Sequence, residues 1–197
     1  MLAAAREVFW TTGYAGTSLD DLTTATGLAN SSLYGAFGSK RALFLRVFDE
    51  YCERAAANVV AALAGPDEGA MDRIAAYLRR SATQTAKDTS RRGCLLAKGA
   101  AELSEHDSAV AKRSRETVQF MEAQLARTLA QAQRAGDATD RASAKALART
   151  VLAALRGIEA LGKAGANRQT LRDIAETTVI LIASAPATDR LPTGTDA

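Results

Sequence analysis

Apolar residues recur at helical spacing from the start of the chain, and glycines separate the helices that this pattern predicts. A first helix ends at Gly13, a residue type that commonly terminates helices. Ser18, with an acidic residue three positions later, predicts a short second helix that ends at Gly27. A third short helix, capped by Asn30 or Ser31, ends before a much longer fourth helix. The N-terminal part of the chain is therefore predicted to hold three short helices followed by a long one.

The rest of the chain shows the same periodicity in longer segments. A Gly-Pro pair within residues 64–67 marks the clearest break, and five further helical patterns follow it. No segment alternates in the way that a half-buried strand would. We therefore predict an all-α fold of about nine helices, with a head over residues 1–46 and a helical body over residues 47–186. The polar residues 187–197 are expected to form a disordered tail.

Composition and charge narrow the class of protein only slightly. The chain has 197 residues, of which 47% are hydrophobic and 24% charged, as in ordinary globular proteins. Lys and Arg exceed Asp and Glu by 25 to 22, an excess too small to indicate nucleic-acid binding by itself. No apolar run is long enough to span a bilayer and no signal sequence is evident, so we expect a cytoplasmic protein.

Residues that could support catalysis or bind a metal are sparse. His106 is the single histidine, and the distant Cys52 and Cys94 match neither a disulfide framework nor a zinc site. The glycines show neither phosphate-loop nor dinucleotide-binding spacing. We therefore predict that the protein is not an enzyme and needs neither a cofactor nor a metal.

Residues 17–34 carry the pattern with the clearest functional meaning. They form two short amphipathic helices joined by a tight turn at Gly27, which is the layout of a helix-turn-helix. The outward side of the second helix carries small hydroxyls, an amide and a phenol, which can enter a major groove and bond to bases and phosphates. The pattern predicts DNA binding. A helical protein-interaction domain that does not bind DNA is the alternative from a different class.

Residues 9–44 resemble the head of the tetracycline-repressor (TetR) family of bacterial regulators. The resemblance rests on the order and spacing of Phe9, Gly13-Tyr14, Thr17-Ser18, Leu22, Ala25, Gly27-Leu28-Ala29, Ser32-Leu33-Tyr34, Phe37-Gly38-Ser39-Lys40 and Leu43-Phe44. Gly35, Ala36 and Gly38 depart from the family pattern, which commonly has larger residues at the first two positions and proline at the third. The chain begins inside what is usually the family's first helix. Whether a basic arm precedes that helix is left open.

The resemblance implies which residues contact DNA. Thr17 and Ser18 would contact phosphate from the start of the second helix, and Tyr34 and Lys40 would bind phosphates and set the orientation of the head. Asn30 would be the best candidate for base recognition. The complete predicted DNA-binding set is Thr17, Ser18, Ala29, Asn30, Ser31, Ser32, Tyr34, Gly35 and Lys40.

The resemblance further implies a homodimer that binds operator DNA and a ligand cavity in the body. Paired heads suit DNA half-sites separated by about one turn or a multiple of one turn. The predicted dimer interface comes from the last two helices and consists of Val151, Leu155, Ile158, Leu171, Ile174, Thr178 and Leu181. The predicted effector pocket comes from the middle helices and consists of Tyr77, Leu78, Cys94, Phe120, Met121 and Gln124. We expect a modest, partly hydrophobic effector that changes DNA binding and thereby regulates a repressor.

Cys94 admits a second interpretation. It follows Arg91-Arg92-Gly93 near a predicted helix start, where positive charge and backbone amides could lower a thiol pKa. Some regulators of the resembled family sense oxidants or electrophiles through a cysteine. A cysteine-based sensor is therefore the alternative within the family, and a small buried apolar residue is the simpler interpretation.

Overall fold

The computed structural model describes residues 1–184, and this part of the chain contains nine α-helices and no strand. The helices are α1 (Leu2–Thr12), α2 (Leu19–Thr26), α3 (Asn30–Phe37), α4 (Lys40–Leu63), α5 (Ala70–Lys87), α6 (Leu95–Leu103), α7 (Ser108–Ala135), α8 (Ala144–Lys163) and α9 (Arg168–Ile182). The predicted all-α class and the helix number are confirmed. The predicted disordered tail, residues 187–197, lies outside the described residues.

The short N-terminal helices begin and end largely where the sequence predicts. Ser18 and Asp21 form a capping box, in which the Asp21 amide donates to Ser18 Oγ at 3.0 Å and the Ser18 amide donates to Asp21 Oδ2 at 2.8 Å. Gly27 ends α2 in the left-handed conformation, with φ 69°. The start of α3 differs from the prediction, because Ala29 occupies the N-cap and no side chain caps this helix.

An aromatic cluster joins the head to the body. The Phe44 ring of α4 lies 5.2 Å from the Phe9 ring, 5.1 Å from the Tyr14 ring and 5.5 Å from the Phe48 ring, measured between ring centres. Phe48 reaches α6 at Gly99, where a Cβ would lie 2.6 Å from Phe48 Cε2. The long helix α4 therefore belongs to both regions, and the head shares its hydrophobic core with α6 and the start of α7.

The body has a second core, in which α5, α7, α8 and α9 contribute most of the buried side chains. Ile74, Leu125, Leu155 and Leu171 at its centre are fully or almost fully buried. None of the helices within residues 1–184 combines the length and hydropathy required to cross a membrane. The body thus has a hydrophobic core of its own beside that of the head.

Candidate functional site

The helix-turn-helix is built from α2 and α3, with Leu28 and Ala29 in the turn after Gly27. Leu22 of α2 is fully buried and Leu33 of α3 is 4% exposed, and both belong to the head core. These apolar anchors fix the relative placement of the two helices. The opposite side of α3 is consequently available to a partner.

The predicted DNA-contacting residues of α3 share one exposed surface. Six of them are exposed to solvent: Ala29, Asn30, Ser31, Ser32, Tyr34 and Gly35. The Tyr34 ring is 45% exposed although it is a large aromatic group. Because no side chain caps the start of α3, its N-terminal amides lie beside this surface and are suited to an anionic group. The surface has the chemistry of a nucleic-acid interface.

The structure gives Thr17 and Ser18 internal partners. Thr17 is 2% exposed, and its hydroxyl donates to the Gly13 carbonyl at 2.6 Å. Ser18 is exposed, but its hydroxyl donates to Asp21 Oδ2 at 2.6 Å as part of the capping box. These bonds from Ser18 hold the pKa of the Asp21 carboxyl below its usual range. In this conformation both hydroxyls stabilise the head, so only Ser18 presents its side chain to solvent.

Lys40 lies at the first position of α4, next to the exposed end of α3. Its Nζ is 4.5 Å from the centre of the Tyr14 ring, a cation–π distance that restrains the ammonium group. Lys40 remains partly accessible to solvent. It can therefore contribute a positioned positive charge at the edge of the α3 surface.

Polar contacts clamp α1 to α6. Lys98 Nζ donates to the Trp10 carbonyl at 2.6 Å and to the Thr11 carbonyl at 3.0 Å. Glu102 accepts the Tyr14 amide at 2.7 Å, and the Trp10 indole donates to the Gly93 carbonyl at 2.7 Å. The backbone groups at the end of α1 thus depend on α6 and on the segment before it. Sequence reasoning missed this clamp, because its partners lie more than 80 positions apart.

A second connection between head and body is an ion pair at the start of α7. Arg41 of α4 donates to both carboxylate oxygens of Asp107, at 2.6 and 2.9 Å. Asp107 also accepts the amides of Ala109 and Val110, so it caps α7 at the same time. The arginine and the two amides hold the pKa of the Asp107 carboxyl below its usual range.

A cavity of about 610 Å³ lies where α1 meets the body. Its walls come from α1, α4, α5, the segment between α5 and α6, and α8, with single residues from α6 and α7. Trp10, Tyr51 and Tyr77 supply aromatic surface, whereas Arg80 and Arg156 are among several cationic side chains. Its volume is in the range of small-molecule sites. Because α1 forms part of the wall, an occupant would contact the head directly.

The cavity takes in half of the predicted pocket residues. Tyr77, Cys94 and Met121 line it. Leu78, by contrast, is fully buried in the body core, and the Phe120 ring is 40% exposed at the surface of α7. Gln124 bonds to Arg127 on the outer side of the same helix and does not line the cavity. The expectation for these last three residues is corrected: helical spacing placed them in the right part of the body but on the wrong faces.

Cys94 lies at the inner wall of the cavity and is 8% exposed. Its sulfur lies 3.1 Å from Arg156 Nη1 and 3.5 Å from the Tyr51 hydroxyl. Burial, followed by the nearby Glu159 carboxylate, raises the pKa of the thiol in spite of the arginine. The structure therefore corrects the expectation of a lowered pKa at this position. Cys52 is fully buried in the head core, as expected of a packing residue.

The predicted dimer residues fall into two groups. Five of them are buried within the protomer, where they fill the body core: Val151, Leu155, Ile158, Leu171 and Thr178. These five are corrected to core residues, because α8 packs on α5 and α7, and α9 packs on α5 and α8. Ile174 is partly buried, and Leu181 is 68% exposed. The outer surface of α8 and α9 carries a different apolar group, which includes Leu161 at 42% and Ile180 at 73% exposure.

Comparisons with known proteins agree with this architecture. Residues 1–47 match the family model "Bacterial regulatory proteins, tetR family", and residues 70–178 match "Tetracyclin repressor-like, C-terminal domain". The chain is 32% identical to the transcriptional repressor ComR of Escherichia coli K12 over 181 residues, which cover 91% of this chain and 86% of ComR.

Solved structures give the same result. The regulator CifR, solved as a cysteine mutant with a 26-base-pair operator duplex, is 27% identical to this chain, with a TM-score of 0.72 and coverage of 91% of this chain and 93% of that one. Reduced Escherichia coli NemR shares the fold at 21% identity, with a TM-score of 0.81 and coverage of 94% and 96%.

The relatives are regulators of transcription rather than enzymes, which confirms the prediction for this chain. The α3 surface, the nine-helix architecture and the two family matches lead to one conclusion. The chain belongs to the tetR family of bacterial regulatory proteins and is a DNA-binding transcriptional regulator.

Proposed function

We propose that this regulator is a homodimeric repressor that releases its operator when a small molecule occupies the cavity. The observation that carries the proposal is the position of the cavity, whose wall includes Arg6 and Trp10 of the head together with residues of five body helices. A ligand that prefers one placement of α1 against α6 necessarily shifts the population of head orientations. Repression is also the activity for which ComR is named.

The α3 surface is proposed to enter the major groove. Asn30 offers an amide that can bond to a base edge, and Ser31 and Ser32 offer hydroxyls to bases or phosphates. Tyr34 and Lys40 would bind phosphates and fix the orientation of the helix. Ala29 and Gly35 have no side-chain hydrogen-bond donor, but their small size would allow the backbone to approach the DNA closely. Thr17 and Ser18 would act mainly by holding the start of α2 in place, with Ser18 the more accessible to phosphate.

The dimer is proposed to form through the outer surface of α8 and α9. Leu161, Ile180 and Leu181 are large apolar side chains that the protomer leaves exposed. Ala153 and Ala160 are exposed small residues on the same helix as Leu161, so a second helix can approach closely. A two-fold axis through this surface would pair two heads for a near-palindromic site. Because the proposed target is chromosomal DNA, we propose that the protein acts in the cytoplasm.

The DNA-binding part of the proposal is tested by fluorescence anisotropy on duplexes that tile the upstream region of the protein's own gene. We expect saturable binding to one near-palindromic tile, with affinity that falls as salt rises. Asn30→Ala should weaken binding to that tile by roughly tenfold or more, as expected when a base contact is lost. Gln119→Ala removes an exposed amide from α7 and serves as the matched control.

Equal, weak binding of every tile at low salt would contradict operator recognition by this chain. Absence of binding at any salt would favour the alternative of a helical protein-interaction domain that does not bind DNA. The oligomeric state is tested separately by sedimentation of Ile180→Arg, which should be monomeric if the outer surface of α8 and α9 forms the dimer. A dimer that persists in this variant would contradict the proposed interface.

A cysteine-based sensor is the second candidate, favoured by the contact between Cys94 Sγ and Arg156 at 3.1 Å. The raised pKa of this thiol opposes it, because the thiolate is the reactive form. Operator release by hydrogen peroxide in the wild type but not in Cys94→Ser would support this candidate. An identical response of the two proteins would reject it.

A further inference from the structure

The cavity at the junction of head and body is lined by an excess of positive charge. Seven of its lining side chains are cationic and two are acidic. The acidic pair is Asp88 and Glu159, and the cations are Arg6, Arg54, Arg80, Arg91, Arg92, Arg156 and Lys163. The lining of apolar and neutral polar groups that the sequence predicts for this pocket is therefore incomplete, because its walls are strongly basic.

Existing ion pairs account for only part of this charge. Arg156 pairs with Glu159, Arg92 pairs with Asp88 and Glu7, and Arg54 pairs with Glu50. Within residues 1–184, no carboxylate lies within ion-pair distance of Arg80, Arg91 or Lys163. Three cations that line one concave space thus have no carboxylate partner in the described part of the chain.

Two of these cations lie where the segment before α6 meets the end of α8. Arg91 lies in the segment before α6, and its guanidinium packs against the turn after α8, where a Cβ on Gly165 would lie 2.9 Å from Arg91 Nη1. Lys163 reaches back in the other direction, 3.2 Å from the position of a Cβ on Gly93. Arg91 is also the single non-glycine residue with positive φ among residues 1–184, at 49°. Such backbone strain persists where the fold requires a particular placement of a side chain.

The remaining lining is suited to a flat organic body. Trp10, Tyr51 and Tyr77 line the cavity from three different helices, and Leu96 and Met121 are buried lining residues. Like charges held together in a partly enclosed space repel each other, and a bound anion relieves this repulsion. Arginine binds carboxylate, phosphate and sulfonate oxygens with directional, charge-assisted hydrogen bonds. The aromatic groups would then contact the rest of the ligand.

We propose that the effector of this regulator is an organic anion, with an acidic group bound by Arg80, Arg91 and Lys163 and an unsaturated body against the aromatic side chains. The inference rests on the proposed function in that it takes the cavity as the effector site. It adds an anionic group to the expectation of a modest, partly hydrophobic effector. It also distinguishes two parts of the cavity. The exposed cations select charge, whereas the inner wall around Tyr51 and Cys94 selects shape.

A matched pair of fluorescent probes tests the charge requirement. The sulfonate 8-anilinonaphthalene-1-sulfonate (ANS) and the neutral N-phenyl-1-naphthylamine have the same aromatic body and differ in the anionic group. Trp10 is the single tryptophan of the chain and lines the cavity, so a probe bound there quenches its emission. We expect saturable quenching by one ANS per protomer and at least roughly tenfold weaker binding of the neutral probe.

Variants locate the bound anion. Arg80→Gln with Arg91→Gln should weaken ANS binding by about tenfold and leave the neutral probe unaffected. Arg115→Gln with Arg141→Gln removes the same charge from exposed positions outside the cavity and should leave ANS binding unchanged. Circular dichroism and operator binding of each variant show that it is folded.

Three results would overturn the inference: equal affinity for the two probes, unchanged ANS binding in the Arg80/Arg91 variant, or no saturable quenching by ANS. The operator assay separates this failure from failure of the proposed function. If the protein binds its operator but shows any of the three results, the anionic effector is rejected and the repressor stands. If operator binding fails while ANS binds as expected, the anion site stands and the regulatory role is rejected.

Discussion

The head and the body differ in where their positive charge lies. The head, which contacts a polyanion, has four basic residues against three acidic ones over residues 1–46. Of those four, Arg41 is bound by Asp107 and Arg6 lines the cavity, so Lys40 and Arg46 are the cations left for DNA. The cavity in contrast collects seven cationic side chains. Charge in this molecule is concentrated at the proposed small-molecule site rather than at the DNA-binding surface.

This difference indicates how each region would bind its partner. The α3 surface depends on hydroxyls, an amide, a phenol and an uncapped helix start, so shape and hydrogen bonding carry more of its DNA affinity than net charge. Pairing of two heads would supply the rest of the DNA affinity. The cavity also has uncharged donors, but its seven cationic side chains mean that it would hold its ligand chiefly through arginine and lysine. Three variants sharpen the contrast, beginning with the one of largest expected effect.

Phe44→Ala should be the most damaging, because it removes the ring around which the aromatic cluster of the head is built. We expect a loss of about 3–5 kcal/mol in the free energy of unfolding, measured by urea denaturation. We also expect the head of this variant to lose its DNA-binding conformation. Val118→Ala, at a 37% exposed position of α7, is the control and should change stability by less than about 0.5 kcal/mol. Comparable losses in the two variants would show that the cluster does not fix the head.

Asp107→Ala should have an intermediate effect. The carboxylate caps α7 and binds Arg41, and loss of a helix cap costs about 1–2 kcal/mol. Because the pKa of Asp107 is lowered in the folded protein, its contribution is fully present above the unfolded-state value of about 3.9 and is lost as pH falls through the folded-state value. The stability difference between wild type and variant should therefore be constant near neutral pH and shrink in acid. A difference that grows in acid would contradict this ion pair.

Lys40→Ala should have the smallest effect, confined to DNA binding. Loss of one phosphate contact in each protomer should lower the slope of log affinity against log salt by about 0.9 for each contact. Arg115→Ala, a cation exposed on α7, is the control for net charge. An unchanged slope for Lys40→Ala would show that this ammonium group does not contact phosphate.

The sequence predicts local features of this fold well, and it does so because their determinants are neighbours in the chain. The Ser18–Asp21 capping box and the Gly27 turn need only a few consecutive residues. The exposed surface of α3 follows from the same local periodicity, since Leu33 is buried and the polar positions around it face outward. Thr17 differs because its burial depends on the folded turn after α1, which no local pattern specifies.

Features that depend on packing between distant elements could not be predicted in detail. The apolar stripe through Val151, Leu155 and Ile158 suits an interface between protomers as well as the core, and only the placement of α5 and α7 decides for the core. The cavity gathers residues from α1 to α8, so no spacing rule identifies its lining. Arg80 and Arg91 have the sequence context of ordinary surface arginines. Their convergence on one space is a property of the tertiary structure.

The most direct test of two separate sites is to measure operator binding and ANS binding on the same two variants. The account predicts that Tyr34→Ala loses affinity for the operator while ANS quenches Trp10 as in the wild type. It predicts that Arg80→Gln with Arg91→Gln binds ANS about tenfold more weakly while affinity for the operator is retained. Parallel loss of both activities in both variants, or loss of neither, would contradict the assignment of DNA to α3 and of an organic anion to the cavity.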